Sequence, residues 1–294
     1  MRCPTHLSIG QEGVAVAVGR ALLRTDLAVS GHRAHAHYLA KGGDLGAMVA
    51  ELHGKATGCA GGKGGSMHLV DEQAGFMGST AIVGGTVPVG VGLAYAAKLR
   101  RSGQVVCVFL GDAVPEEGVF FESVNFAVLK RLPVLFVCEN NLYSVYSPLS
   151  VRQPPGRRIH EMVGAMGLPA EHGDGNDALA VHRAVSDGVR EIRSGNGPRF
   201  YEFATYRWRE HCGPFYDNEL GYRSEAEFDR WRAHDPIARL REAILAADAS
   251  RGGEITAIEA EIEAEVEAAF AFAERSPFPA PEQAGAGEYF EGPG

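Results

Sequence analysis

The fold is decided by Val105-Val106-Cys107-Val108-Phe109-Leu110-Gly111-Asp112-Ala113 and, further on, Val134-Leu135-Phe136-Val137-Cys138-Glu139-Asn140-Asn141-Leu142-Tyr143. Each stretch opens on an apolar run of strand length, rich in β-branched residues and without polar alternation. That is the pattern of a strand buried on both faces. Between them Val119, Phe120, Val124, Ala127 and Val128 fall on one side of a helix. A strand–helix–strand unit of this kind crosses over right-handed and sets its strands parallel. Asp112 and Asn141 then stand at the carboxyl ends of neighbouring strands, the edge where open α/β sheets bind ligands.

The residue types there suit a hard cation. Asp112 offers a carboxylate, Asn141 an amide oxygen, and the turn after it a backbone carbonyl, that of Tyr143. Oxygen donors of this number leave octahedral positions for water and phosphate oxygens, the usual way of holding Mg²⁺. Each half alone has a plainer explanation, since Gly-Asp turns a chain and an Asn pair caps a helix. The two halves together, each closing a buried strand, favour a diphosphate–metal site.

With these residues in place the unit resembles the thiamine diphosphate motif, which reads Gly-Asp-Gly, then a helix and a strand, then Asn-Asn. More closely, the chain resembles the α subunit of the E1 component of 2-oxoacid dehydrogenases, of the pyruvate, branched-chain and acetoin type. The matching segments are His6-Leu7-Ser8-Ile9-Gly10-Gln11-Glu12, Arg33-Ala34-His35, Gly62-Lys63-Gly64-Gly65-Ser66-Met67-His68 and Glu139-Asn140-Asn141. Tyr206-Arg207, His211, Tyr222-Arg223 and Asp235-Pro236-Ile237 continue the likeness, which runs from near Thr5 to near Leu240. The family carries a longer helical segment ahead of His6, so the resemblance leaves open a sequence that starts late.

The resemblance implies an α/β thiamine diphosphate-binding fold, a mostly parallel sheet with helices on both faces, and thiamine diphosphate with Mg²⁺ as cofactors. Metal ligands would be Asp112, Asn141 and Tyr143. Arg33 would bind the diphosphate, a task its planar fork suits. His32 stands where the family has Tyr and can still donate one hydrogen bond. Backbone groups of Ala81 and Val83 would hold the aminopyrimidine ring, with Ala113 and Val114 beside the diphosphate. Ala113 replaces the last Gly of the motif, which raises the expectation of a positive φ there. His211 would lie over the cofactor on a loop that cofactor binding orders. His6 and His35 are the further catalytic candidates, because a histidine suits hydrogen bonding or proton transfer to a substrate carbonyl. In the family the activating glutamate comes from a separate β subunit, which implies an α₂β₂ assembly and a lipoyl-bearing E2 partner. The reaction implied is decarboxylation of a 2-oxoacid with acyl transfer to lipoamide. A split transketolase-like or acyloin-forming enzyme without lipoamide, or a non-catalytic paralogue, are the other readings. Ala113 and His32 suggest a divergent branch, and no residue decides which oxoacid is used.

Composition fits these expectations. A chain of 294 residues can bury a sizeable core, and its formal charge of −9 argues against nucleic-acid binding. No apolar run reaches the length of a membrane span, and Met1 opens no signal-peptide pattern. Five cysteines without CxxC spacing read as free thiols of a cytoplasmic protein, with Cys107 and Cys138 in the core. The lack of a G-x-G-x-x-G opening a helix after the first strand argues against an ordinary dinucleotide-binding dehydrogenase.

Elsewhere, Asp26–Ser30 reads as a strand, and residues 44–53, 87–100 and 178–194 as helices. In Gly31-His32-Arg33-Ala34-His35-Ala36-His37, three alternating histidines suggest metal, but no acidic or cysteine partner is near in sequence. The glycine-dense stretch 54–65 reads as a loop. Gly173-Asp174-Gly175-Asn176-Asp177 spells the motif that residues 111–113 lack, yet no buried strand precedes it, and Asn176 or Asp177 reads as a helix cap. The loop after Tyr206 is too polar to be core. Residues 1–235 form the cofactor-binding domain, 236–275 two helices on the same domain, and 276–294 a loose tail. In the second of those helices Ile255, Ile258, Ile262, Val266 and Phe270 mark the docked face, opposite a row of glutamates.

Overall fold

The computed structural model describes residues 3–283 and 285. Its elements are, in chain order, α1 (Glu12–Ala21), β1 (Leu27–Ser30), α2 (His35–Ala40), α3 (Leu45–Leu52), β2 (Phe76–Ser79), α4 (Thr86–Arg100), β3 (Val106–Gly111) and α5 (Gly118–Lys130). There follow β4 (Val134–Asn140), β5 (Tyr143–Ser144), β6 (Ser147–Pro148), α6 (Leu149–Arg152), α7 (Ile159–Ala165), β7 (Ala170–Asp174), α8 (Ala178–Arg193) and β8 (Arg199–Ala204). Three helices complete it: α9 (Glu225–Arg232), α10 (Pro236–Ala247) and α11 (Gly252–Arg275).

Six strands make one sheet in the order β2-β1-β3-β4-β8-β7, and every neighbouring pair is parallel. The expected β3–α5–β4 unit lies at its centre. Along β3 the side chains alternate between two cores. Val106, Val108 and Leu110 pack with Val87, Val91, Phe120, Val124 and Ile159 beneath α4, α5 and α7. Cys107 and Phe109 pack with Val14, Val18, Tyr38, Val185 and Val189 beneath α1, α2 and α8. Helices on both faces explain why both strands read as unbroken apolar runs. Helix α4 sits so close to the sheet that a Cβ at Gly90 would collide with Val108. From β1 the chain goes to β2 on one side and β3 on the other, so the sheet has a switch point between β1 and β3.

Several elements differ from the sequence expectation. The edge strand β7 carries Ala170-Glu171-His172-Gly173-Asp174 with two exposed polar side chains at its middle, so no apolar pattern announces it. The motif-like Gly173–Asp177 stretch is structural, as expected. Asp177 caps α8 by accepting from the Ala180 N–H at 2.9 Å, and Asp174 pairs with Arg239. Helix α11 docks by another face than its periodicity suggests. It lies against α3 through Ala269 and Ala273, which meet Val49 and Ala50. Ile258, Ile262, Val266 and Phe270 stay 38–53% exposed. Small residues let the two helices approach closely, and of the larger stripe Phe270 meets the His53 ring at the end of α3. The start of the tail is tied down, with Lys55 Nζ donating to the Ser276 carbonyl at 2.8 Å and the Ala56 N–H to that of Pro277 at 3.0 Å. Residues 284 and 286–294 of that segment lie outside the described residues. No helix among the described residues is long and apolar enough to cross a membrane.

Candidate functional site

The carboxyl ends of β1, β3 and β4 open on a cavity of ≈ 290 Å³ at the switch point. Its lining contains His6, His32, Arg33, Ala81, Val83, Asp112, Ala113, Val114, Asn141, Tyr143 and His211, every residue singled out above except His35. His35 opens α2 behind the wall. Its Nε2 lies 2.8 Å from Ser66 Oγ, which also accepts the His6 N–H at 3.1 Å. It therefore touches the cavity only through Ser66 and the backbone of His6.

The oxygen donors come from adjacent turns. Asp112 is 3% exposed, and burial pushes its carboxyl above the ordinary range against the pull of the Arg152 guanidinium. Arg152, at the end of α6, is ion-paired with both Asp112 and Glu116. The two asparagines divide their work. Asn140 Nδ2 turns inward to Glu202 at 2.7 Å, while Asn141 faces the cavity, donating to Gln11 Oε1 at 3.2 Å. The Asn141 Oδ1 also accepts the Tyr143 N–H at 3.1 Å, which bends the chain so that Leu142 has φ 72°. Val145 follows with φ 55°. Left-handed non-glycine residues of this kind cost about 1–3 kcal/mol each, and such strain clusters at functional turns. Ala113, by contrast, has φ −82° and carries none of the strain expected of it. Its chain enters a 3₁₀ turn over Val114–Glu116, so the missing Gly is not needed for backbone reasons.

Opposite these oxygens stand three imidazoles. The ring centroids of His6, His32 and His211 are 4.8, 4.9 and 5.3 Å apart, and one ring nitrogen from each lies within 4.8 Å of the others. Burial, and then neighbouring histidine and arginine charge, brings His6 and His211 down to about 3. Burial and Arg33 bring His32 and His35 down to about 4. All four are neutral at neutral pH. The His6 Nδ1 is buried and finds no hydrogen-bond partner among the described residues.

Arg33 joins two segments across the cavity rim, donating to the Leu7 carbonyl at 2.5 Å and the His211 carbonyl at 3.1 Å. Burial, and then Arg207, lowers it to about 10, so it remains charged. The loop bearing His211 is braced from within. Arg207 donates to the Val145 carbonyl at 2.7 Å and to Asp217 at 3.3 Å, and Arg223 donates to the Arg207 carbonyl at 2.7 Å and to Asp217. Burial pushes Asp217 up, but the Tyr222 hydroxyl and the two arginines outweigh it and hold the carboxyl below its ordinary range. Arg207, Asp217 and Arg223 are all at most 3% exposed, while the rest of the loop, with Phe215, Tyr216 and Leu220 exposed, stays out of the core as expected. Their mutual pairing made the burial of these three charges possible.

The sequence profile of the dehydrogenase E1 component matches residues 2–282. The chain belongs to that family. It is 38% identical over 280 residues to the pyruvate dehydrogenase E1 component subunit alpha of Zymomonas mobilis, covering 95% of this chain and 78% of that protein. It is 37% identical over 285 residues to the chloroplastic subunit alpha-3 of Arabidopsis thaliana, covering 95% and 65% respectively. The mitochondrial subunit alpha-1 of Oryza sativa is 38% identical over 290 residues, covering 98% and 72%. The chain thus spans about two thirds to three quarters of the length of these relatives.

The structure adds polar residues to this E1 component site that sequence spacing did not reveal. His37 stacks on Phe109 and joins Ser30 Oγ, 2.8 Å from Nδ1, to Glu139, 3.1 Å from Nε2. Glu139 is the acidic partner that the histidine run lacks in sequence. Glu51, 1% exposed, accepts the backbone N–H groups of Ala60, Gly62, Gly64 and Gly65 at 2.7–3.0 Å and shapes the glycine loop. Arg152 comes from a segment with no recognisable pattern, and Gln11 from the His6–Glu12 segment that carries the resemblance, where the resemblance assigns it no role. For Arg152 the signal is a charged side chain after an apolar residue, which is too common to select.

Proposed function

We propose that this chain is the α subunit of a heteromeric, thiamine diphosphate- and Mg²⁺-dependent 2-oxoacid dehydrogenase, decarboxylating a 2-oxoacid and passing the acyl group to lipoamide. The observation that carries the reading is the meeting of Arg33, Asp112, Asn141 and the histidines in one cavity at the sheet's switch point, in a chain of the E1 component family. The donor set fits the cofactor: a buried carboxylate and a half-buried amide on one side, a buried guanidinium on the other. Asp112, Asn141 and the Tyr143 carbonyl would hold Mg²⁺. Arg33 and His32 would hold phosphate oxygens beside Ala113 and Val114, and the backbone at Ala81 and Val83 the pyrimidine ring. When bound, thiamine diphosphate supplies the electron sink for decarboxylation.

The chain's own residues bind, orient and polarise. Neutral His6 and His211 can each donate a ring N–H to a carbonyl oxygen, stabilising charge that develops there. His35 acts as a positioning residue, holding Ser66 and through it the backbone of His6. A separate β subunit would supply the activating glutamate in an α₂β₂ assembly, served by a lipoyl-bearing E2. The free cysteines among the described residues support a cytoplasmic setting.

Calorimetric titration of thiamine diphosphate with Mg²⁺, on the chain alone and with a co-expressed β subunit, tests this reading. Binding that tightens with the partner and disappears in Asp112→Ala is expected, together with partner-dependent acylation of lipoamide. Folded proteins that bind no cofactor in either case would overturn it.

A further inference from the structure

The turn that carries Asn141 and Tyr143 is held from behind. Asn140 closes β4, and strand alternation puts its side chain on the face of Phe136 and Cys138, which α4, α5 and α7 cover. Its amide is engaged at both ends. Nδ2 donates to Glu202 Oε1 at 2.7 Å, and Oδ1 accepts the Leu142 N–H at 3.1 Å. Leu142 is the branched residue with φ 72°, a conformation that persists only where its surroundings enforce it. Glu202 stands on β8 in register with Cys138 and is 4% exposed. Its other oxygen, Oε2, accepts the His160 N–H at 3.0 Å and lies 2.7 Å from His160 Nδ1. Helix α7 has no side-chain cap of its own, so this oxygen serves the start of the helix and leaves Oε1 for Asn140. A carboxylate accepts and does not donate, so the Asn140 amide can lie only one way, nitrogen toward Glu202 and oxygen toward Leu142.

We propose that Glu202 is a positioning residue for the metal-binding turn: by fixing the Asn140 amide it keeps Leu142 left-handed, and so sets the direction of the Asn141 amide oxygen and the Tyr143 carbonyl. The inference rests on the reading of those two oxygens as Mg²⁺ ligands. Glu202 is not among the residues that line the cavity, and it acts on the site only through Asn140. Closing α7 onto the sheet needs the His160 contacts alone. The contact with Asn140 has a separate consequence, because it decides which end of the amide faces the turn. With the amide reversed, two N–H groups would face each other at Leu142, and the chain would lose the acceptor that holds φ positive. The two ligand oxygens would then no longer point to one place. Mg²⁺ demands near-ideal octahedral geometry, so it is sensitive to such a change. Groups that orient metal ligands without touching the metal are worth about 10- to 100-fold in affinity.

The experiment uses the full chain with its co-expressed β subunit and reads two quantities. One is hydrogen exchange at the Leu142 amide without metal; the other is the Mg²⁺ dissociation constant at fixed thiamine diphosphate. Glu202→Gln keeps the shape of the side chain, but its amide can accept from His160 or from Asn140 and not from both. The expected result is Leu142 exchange about 5- to 10-fold faster, the loss of one hydrogen bond, with exchange in β3 and β4 unchanged. Mg²⁺ should bind about 10- to 100-fold more weakly. Adding Asn140→Asp reverses the polarity of the pair, since a carboxylate at 140 accepts both from the introduced glutamine and from the Leu142 N–H. The double variant is expected to recover slow exchange and tight binding, and a role confined to capping α7 predicts no such rescue. Should Glu202→Gln not fold, Asn140→Ala breaks the same link while leaving the His160 contacts in place. Leu142 exchange unchanged by Glu202→Gln, exchange that Asn140→Asp does not restore, or faster exchange with Mg²⁺ affinity intact would overturn the proposal. A parent that binds no Mg²⁺ would instead sink the metal reading, and the metal-free exchange would still decide whether Glu202 holds the turn.

Discussion

Arg152 occupies the position from which a metal ion would have to be served. Its guanidinium pairs with Asp112 and Glu116, and its side chain is 10% exposed against 3% for Asp112. An ion held by Asp112 must displace or reorient that group. Hydrogen bonds to charged partners contribute about 1.5–3 kcal/mol each, which as a competing interaction weakens metal binding roughly 10- to 100-fold. Arg152→Gln removes the competing charge while keeping a polar side chain. The expected result is an apparent Mg²⁺ dissociation constant about 10- to 100-fold lower, measured by calorimetry at a fixed concentration of thiamine diphosphate. The metal-free variant should also be less stable, by at most about 3 kcal/mol, because Asp112 loses its counter-charge yet can take up a proton. The sign with pH follows from burial: the carboxyl is raised in the fold, so the deficit shrinks as pH falls. An Mg²⁺ affinity that is unchanged or weaker, in a variant with native circular dichroism, would refute the reasoning and make Arg152 a support of the metal site.

Other consequences can be checked alongside. His6 is brought down to about 3, below its unfolded value, so its contribution to stability is present above pH 6.5 and is lost as pH falls toward 3. With chelator present, His6→Gln should flatten the fall in stability between pH 6 and 4 by up to about 1.4 kcal/mol per pH unit; an unchanged profile would place the titration elsewhere. Asp217→Asn leaves Arg207 and Arg223 buried without their carboxylate, and chemical denaturation should show a loss of about 3–5 kcal/mol. A loss under 1 kcal/mol would mean that the remaining carbonyl contacts suffice. Glu51→Ala strands four backbone donors of the glycine loop, and hydrogen exchange at residues 60–65 should accelerate far more than in the central strands.

What could be read from the sequence followed from apolar pattern. Val105–Leu110 and Val134–Cys138 are buried on both faces, so their composition announced both the parallel sheet and the edge to which Asp112 and Asn141 belong. Helix α11 shows the limit of the same signal. Its stripe of Ile258, Ile262, Val266 and Phe270 was legible as periodicity, but periodicity does not say which face a neighbour takes, and α3 takes Ala269 and Ala273. Polar organisers were hidden for a different reason. Glu51, Glu139, Arg152 and Asp217 act on partners brought near by the fold, and a buried charge looks in sequence like any surface charge. Ala113 was legible as a departure, yet its consequence was not, because only the backbone path shows that no positive φ is required.

The charge pattern of the cavity leads to one more expectation. Arg33 depresses His32 and His211 beyond what burial alone does, so the cavity carries more positive potential than its histidines tolerate as protonated groups. An anion seated beside Arg33 reverses that field. Its negative charge raises both imidazoles from about 4 and about 3 toward their ordinary value, and a histidine whose pKa rises binds a proton as the anion binds. Inorganic diphosphate is therefore expected to bind with net proton uptake at pH 5–6, and more tightly as pH falls through that range. Titration in two buffers of different ionisation enthalpy measures the uptake directly, and Arg33→Gln should weaken binding while His32→Gln should reduce the protons taken up. Proton release on binding, or affinity that rises with pH, would mean that the further burial of the rings outweighs the anion's charge, and that Arg33 alone carries the recognition.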